Sequence, residues 1–80
     1  MRNYDENNEV KEVFCNQCKK ALQVENGIIK EGCYSSNMVW GYFSTMDGMR
    51  HSFDLCEDCY RKMIMGFAIP VTETDETEFV

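Results

Sequence analysis

Cysteine occurs in this chain as two pairs of identical spacing, Cys15-Asn16-Gln17-Cys18 and Cys56-Glu57-Asp58-Cys59. Two residues between cysteines let both sulfurs turn toward one ion from a single tight turn. Zinc takes four such ligands in a tetrahedron at about 2.3 Å. The pairs are separated by 37 residues, a longer insert than the commonest four-cysteine template. Hairpins within the insert would bring its ends together. The expectation is one Zn2+ per chain, held by Cys15, Cys18, Cys56 and Cys59. Iron is the alternative metal, because the same four thiolates suit it. Disulfide or redox-dithiol chemistry is the competing reading. A thioredoxin-type motif, however, needs one pair beside a βαβ pattern, and this chain has two pairs and no such pattern. Packing alone is the third reading.

Other reactive side chains are few. Cys33 has no partner at two-residue spacing and is expected to be a small buried hydrophobe. His51 is the only histidine. On a strand it shares a face with Phe53 and Leu55, which predicts a packed, hydrogen-bonded residue. Catalytic zinc keeps an open position beside three protein ligands, whereas four cysteines fill the shell. There is no glycine-rich phosphate loop, and no Ser-His-Asp set can be assembled. Cys33 with His51 is the one nucleophile-base combination available, and nothing in the sequence places them together. A non-enzymatic protein is expected.

The elements that must position the cysteines follow from pattern. Residues 13–20, which contain "FCNQCKK" (Phe14 to Lys20), make the first cysteine turn. Asn26-Gly27 between apolar runs is a strong hairpin signal and predicts strands at about 21–24 and 28–31. "GCYSSN" breaks the pattern. "MVWGYFST" is rich in β-formers and predicts a strand over about 38–45, with Asp47-Gly48 turning the chain and "RHSFDL" returning. After Cys59 the period changes: Tyr60, Met63, Ile64 and Phe67 lie on one helical face. Asp54 is the expected N-cap, Glu57 and Asp58 suit the first turn, and Gly66 and Pro70 end the helix. "FAIPV" is a candidate edge strand.

Eighty residues make one domain. So short a chain buries a small core and often needs a metal, a disulfide or a partner for stability. We divide it into a polar N-terminal segment (1–12), of which residues 1–10 are expected to fray, a four-cysteine zinc domain (13–72) and a flexible acidic tail (73–80). The net charge of −6 lies wholly in the two end segments, because residues 13–72 carry six charges of each sign. Lys19-Lys20 and Arg61-Lys62 are the only basic doublets, short of the patch that nucleic-acid binding shows. The longest apolar run, Met63 to Ile69, has seven residues, against roughly 20 for a membrane-spanning helix. "MRNYDENNEV" contains no apolar signal core, so the cytoplasm is the expected compartment.

A cysteine pair followed at once by an aromatic and an amphipathic helix, "DLCEDCYRKMI", resembles the second half of a treble-clef zinc module, with "FCNQCKK" as its zinc knuckle. The resemblance spans about residues 13–67. It implies a small α+β fold of knuckle, antiparallel β-hairpins and one C-terminal helix that supplies the second ligand pair. A zinc ribbon, with both pairs on hairpin turns, is the alternative. The chain also resembles small bacterial zinc-binding proteins carrying "WGYFS", "DG", "H-x-F-x-L-C-x-x-C-Y" and "IPV", a likeness that implies no particular activity. Treble clefs host protein binders, nucleic-acid binders and some nucleases, so the fold alone does not choose among them. Met38, Trp40 and Tyr42 alternate along one predicted strand. They form either core or a protein-binding face, since aromatics and Met are enriched at interfaces. The expected partner is another protein, in the manner of a small regulator or inhibitor. The rival is nucleic acid held by Lys19, Lys20, Arg61 and Lys62. A redox or metal sensor using the cysteine pairs is more remote, and homo-oligomerisation is left open.

Overall fold

Asn26 and Gly27 turn the chain where the sequence predicts. Both have positive φ, 50° and 77°, which a two-residue type I′ hairpin requires at both central positions. In the computed structural model, which describes residues 1–76, this turn joins β4 (Val24–Glu25) to β5 (Ile28–Ile29), pairing Val24 with Ile29 and Glu25 with Ile28.

Two more antiparallel sheets complete the β-structure among the described residues. One has the order β1-β2-β3, from Arg2–Tyr4, Val10–Phe14 and Ala21–Leu22. Its edge strand β1 pairs Arg2 with Val13 and Asn3 with Glu12, so residues 2–4 are held in a sheet and not frayed as the sequence suggested. Local polarity cannot reveal such pairing, because an edge strand with few buried side chains has no apolar alternation. The other sheet is a hairpin of β6 (Cys33–Val39) and β7 (Arg50–Cys56), in continuous register from Cys33↔Cys56 to Val39↔Arg50. "GCYSSN", which seemed to break the pattern, therefore opens the longer hairpin.

The strand expected at 38–45 ends at Val39. Beyond it Trp40 N–H donates to Met49 O at 2.9 Å and Gly48 N–H to Trp40 O at 3.2 Å. Successive turns then carry residues 41–49, with Gly48 at φ 88°. Tyr42 and Phe43 lie outside the core, 83% and 98% exposed, and touch each other edge to face, so their strand propensity is not realised.

The helix α1 spans Glu57–Met65. Glu57 and Asp58 lie in its first turn and Lys62 in its last, as the helix dipole favours. Its N-cap is Cys56, with no side-chain cap bond, and not Asp54. Gly66 ends it, donating to Met63 O at 3.2 Å. Tyr60 and Ile64 are half-buried, but Met63 and Phe67 remain exposed, so the apolar face is only partly covered. "FAIPV" forms no strand. Of the acidic tail, residues 77–80 lie outside the described residues.

The buried core consists of Val13, Cys15, Leu22, Leu55 and Cys56, ringed by half-buried groups that include Phe53, Cys59 and Tyr60. Tyr34 stacks between Phe53 and Tyr60, with ring centroids 6.2 and 4.9 Å away. Two of the five buried apolar residues are cysteines of the paired motifs. A core this thin leaves little surplus over chain entropy, so what those cysteines hold bears directly on stability.

Candidate metal centre

Cys15 follows β2, and the chain then folds back on itself: Lys19 N–H donates to Cys15 O and Cys15 N–H to Lys20 O, both at 2.9 Å. Lys19 takes the left-handed conformation, φ 70°, that closes this knuckle. Cys56 is the last residue of β7, and Cys59 lies in the first turn of α1. The strand-to-helix junction thus presents one sulfur from each side of a bend.

The four Sγ atoms of Cys15, Cys18, Cys56 and Cys59 lie within 4.8 Å of one another. All are free thiols. Cys18 Sγ and Cys56 Sγ, one from each pair, are 3.8 Å apart. A tetrahedron with metal–sulfur bonds of about 2.3 Å has edges of about 3.8 Å, so this one edge has the length a tetrahedral thiolate site needs. Cys15 and Cys56 are buried, Cys59 half-buried and Cys18 exposed. The cluster is therefore sealed on one side and open to water on the other.

Its electrostatics suit a cation. Burial raises the Cys15 thiol, but backbone N–H groups of Cys56, Cys18 and Gln17 and the Cys18 side chain outweigh this and lower it to about 6. Burial, then hydrogen bonds with Cys56, Cys15 and Cys18, then the Cys15 charge, push Cys59 up to about 12. One sulfur is ready to be a thiolate, while the last proton is held because like charges crowd together. A divalent cation removes that conflict, and binding displaces the remaining protons.

Asn16, inside the knuckle, ties it to β7. Its N–H donates to Asp54 O at 2.7 Å, and its Oδ1 accepts the Asp54 N–H at 3.0 Å. Asp54 is 4% exposed. Its carboxylate accepts from Ser35 Oγ at 2.7 Å, from Arg2 Nε at 3.2 and 3.3 Å and from the Met1 ammonium at 3.0 Å. That ammonium also donates to Phe14 O and Asn16 Oδ1. Burial raises the Asp54 carboxyl, but the bonds from Arg2, Ser35 and the terminal ammonium hold it below the ordinary carboxylate value. Neither Asn16 nor Asp54 was singled out as such a tie from sequence. Asn16 carried one usable signal, its place inside the cysteine turn.

The other predicted residues fall elsewhere. Cys33 lies outside the cluster, half-buried, with Ser35 Oγ at 3.6 Å and Asp54 Oδ1 at 3.9 Å. Met38, Trp40 and Tyr42 do not share one strand: Met38 lies on β6, Trp40 just past it, and Tyr42 in the loop, 83% exposed. Trp40 Nε1 donates to His51 Nδ1 at 3.1 Å. Lys20 pairs with Glu31 at 3.1 Å and Arg61 with Glu57 at 2.6 Å, so each basic doublet has a member engaged by an acid. No helix among the described residues is long and apolar enough to cross a membrane. Comparison with protein-family models, curated proteins and solved structures found no match.

Proposed function

We propose that this chain is a non-enzymatic structural-zinc module whose exposed surface mediates protein-protein interaction. The observation that carries the metal reading is the convergence of two separated cysteine pairs on one point, with Cys18 and Cys56 at tetrahedral spacing. Zinc fits better than a redox role because each pair contributes to a common centre. The bound ion would supply charge neutralisation and a cross-link between knuckle and helix. Cys15, Cys18, Cys56 and Cys59 would fill its shell and leave no position for substrate or water.

The order of knuckle, hairpins and a helix that begins at the second pair supports a treble clef over a zinc ribbon. Cys56 and Cys59 sit at a helix start and not in a hairpin turn. The interaction role is supported by the loop after β6, where Tyr42 and Phe43 are 83% and 98% exposed and Met38 on β6 is 43% exposed. Side chains of these types are enriched where proteins meet.

Elemental analysis of purified protein tests the metal reading: one zinc per chain is expected, and less than a tenth of that after replacement of Cys15 and Cys56 together. A protein that holds no metal when refolded with zinc would overturn it. For the surface, Tyr42→Ala with Phe43→Ala should leave the melting temperature unchanged and abolish association with a partner that copurifies with the native chain.

A further inference from the structure

Cys33 is the one cysteine outside the four-thiol group, yet it stands directly opposite a member of that group. The β6–β7 register pairs Cys33 with Cys56. Directly opposed residues of an antiparallel pair have Cα atoms about 4.5 or 5.5 Å apart. Both separations fall within the roughly 4.4–6.8 Å that disulfides span. The two side chains lie on one face of the hairpin. Residues two apart share a face, and Cys33 Sγ approaches Ser35 on its own strand and Asp54 on the other, Asp54 lying two residues before Cys56.

We propose that Cys33 and Cys56 form a peroxide-driven cross-strand disulfide that withdraws Cys56 from the metal centre. The inference rests on the four-cysteine cluster being that centre, and it concerns how the site is regulated. In any disulfide formed within the cluster, both sulfurs are metal ligands. Cys33 is not one, so it can react while all four ligands are in place. It is also half-buried, whereas Cys56 is only 2% exposed. Hydrogen peroxide therefore meets the Cys33 thiol more readily than that of Cys56; Cys18 is exposed too, but in the loaded centre its sulfur is occupied as a ligand.

The chemistry balances in two steps. The Cys33 thiol and hydrogen peroxide give the sulfenic acid and water, as the O–O bond breaks and an S–O bond forms. The Cys56 thiolate then attacks the Cys33 sulfur. An S–S bond forms, the S–O bond breaks, and the departing hydroxide takes a proton from solvent to leave as water. Each sulfur is oxidised by one electron and the peroxide is reduced by two. With Cys56 withdrawn, Cys15, Cys18 and Cys59 alone would remain to hold an ion, and they would hold it more weakly.

Zinc-loaded protein treated with hydrogen peroxide provides the test, with release followed by a metallochromic chelator and disulfides mapped on unreduced peptides. The first linked peptide should join Cys33 to Cys56, zinc release should accompany it, and dithiothreitol should reverse both. Cys33→Ser should hold the same zinc and lose it several-fold more slowly under peroxide. Release at the wild-type rate from Cys33→Ser, or a first disulfide drawn only from Cys15, Cys18, Cys56 and Cys59, would overturn the proposal. A chain that holds no zinc would sink the metal reading instead. The peptide map would still decide whether Cys33 and Cys56 join.

Discussion

Asn16 and Asp54 bind each other twice, Asn16 N–H to Asp54 O at 2.7 Å and Asp54 N–H to Asn16 Oδ1 at 3.0 Å. One lies between the cysteines of the first pair and the other two residues before the second. The two bonds join the halves of the cluster as a short piece of sheet would.

Asn16→Ala removes the side-chain half of this tie and leaves the Asp54 N–H without its acceptor. An unsatisfied buried donor costs about 1–3 kcal/mol. In a domain of this size each kcal/mol lowers Tm by roughly 4–8 °C. Calorimetry should show that loss while elemental analysis still finds one zinc per chain, because the four thiols remain. An unchanged Tm would show that the tie contributes nothing.

Asp54→Asn discards the charge that faces Met1 and Arg2. Breaking a fully buried ion pair costs about 3–5 kcal/mol. Here the Arg2 and Met1 side chains are 30% and 58% exposed and can turn to water, so the expected loss is nearer 1–3 kcal/mol. The folded carboxyl lies below its ordinary 3.8. Its contribution is thus present above that value and lost as pH falls through the lower folded one. Denaturant titrations from pH 5 downward should show wild type losing this increment and Asp54→Asn lacking it throughout.

Removing the metal should unfold the module. Zinc binding to thiolates contributes on the order of 10 kcal/mol to small domains, more than the few kcal/mol that so small a core supplies. A strong chelator should abolish the near-UV circular dichroism of Trp40 and the tyrosines and lower Tm sharply. Cys59→Ser, which opens the shell at the start of α1, should do the same. A metal-free protein melting within a few degrees of the loaded one would show that the core stands alone.

Acid should release the ion. Cys15 is lowered from 9.0 to about 6. In the metal-free chain its stabilising contribution is complete above 9.0 and lost as pH falls through about 6. Protons compete with metal for the same sulfur. Zinc followed by a chelating dye should stay bound near pH 7 and be lost progressively in acid as protons displace it from the thiolates, together with the helix signal. A zinc occupancy that does not depend on pH down to strong acid would argue against thiolate ligation.

The sequence by itself determined the features set by short-range chemistry. Paired cysteines at two-residue spacing name the four thiols that the fold gathers within 4.8 Å of one another, because only a tight turn aims both sulfurs at one point. Asn26-Gly27 specifies its hairpin because both residues tolerate positive φ. The apolar period after Cys59 specifies a helix because it repeats every turn. Only the tertiary structure decided what depends on register between distant segments. It ended β6 at Val39 and left Tyr42 in solvent, although local propensity favoured strand there. It brought residues 2–4 onto a sheet edge, turned Asp54 from an expected helix cap into the buried partner of Arg2 and Met1, and set Cys33 opposite Cys56. For Asp54 and Cys33 the partner lies far along the chain, and a one-residue slip in pairing would have sent the same side chain to the other face.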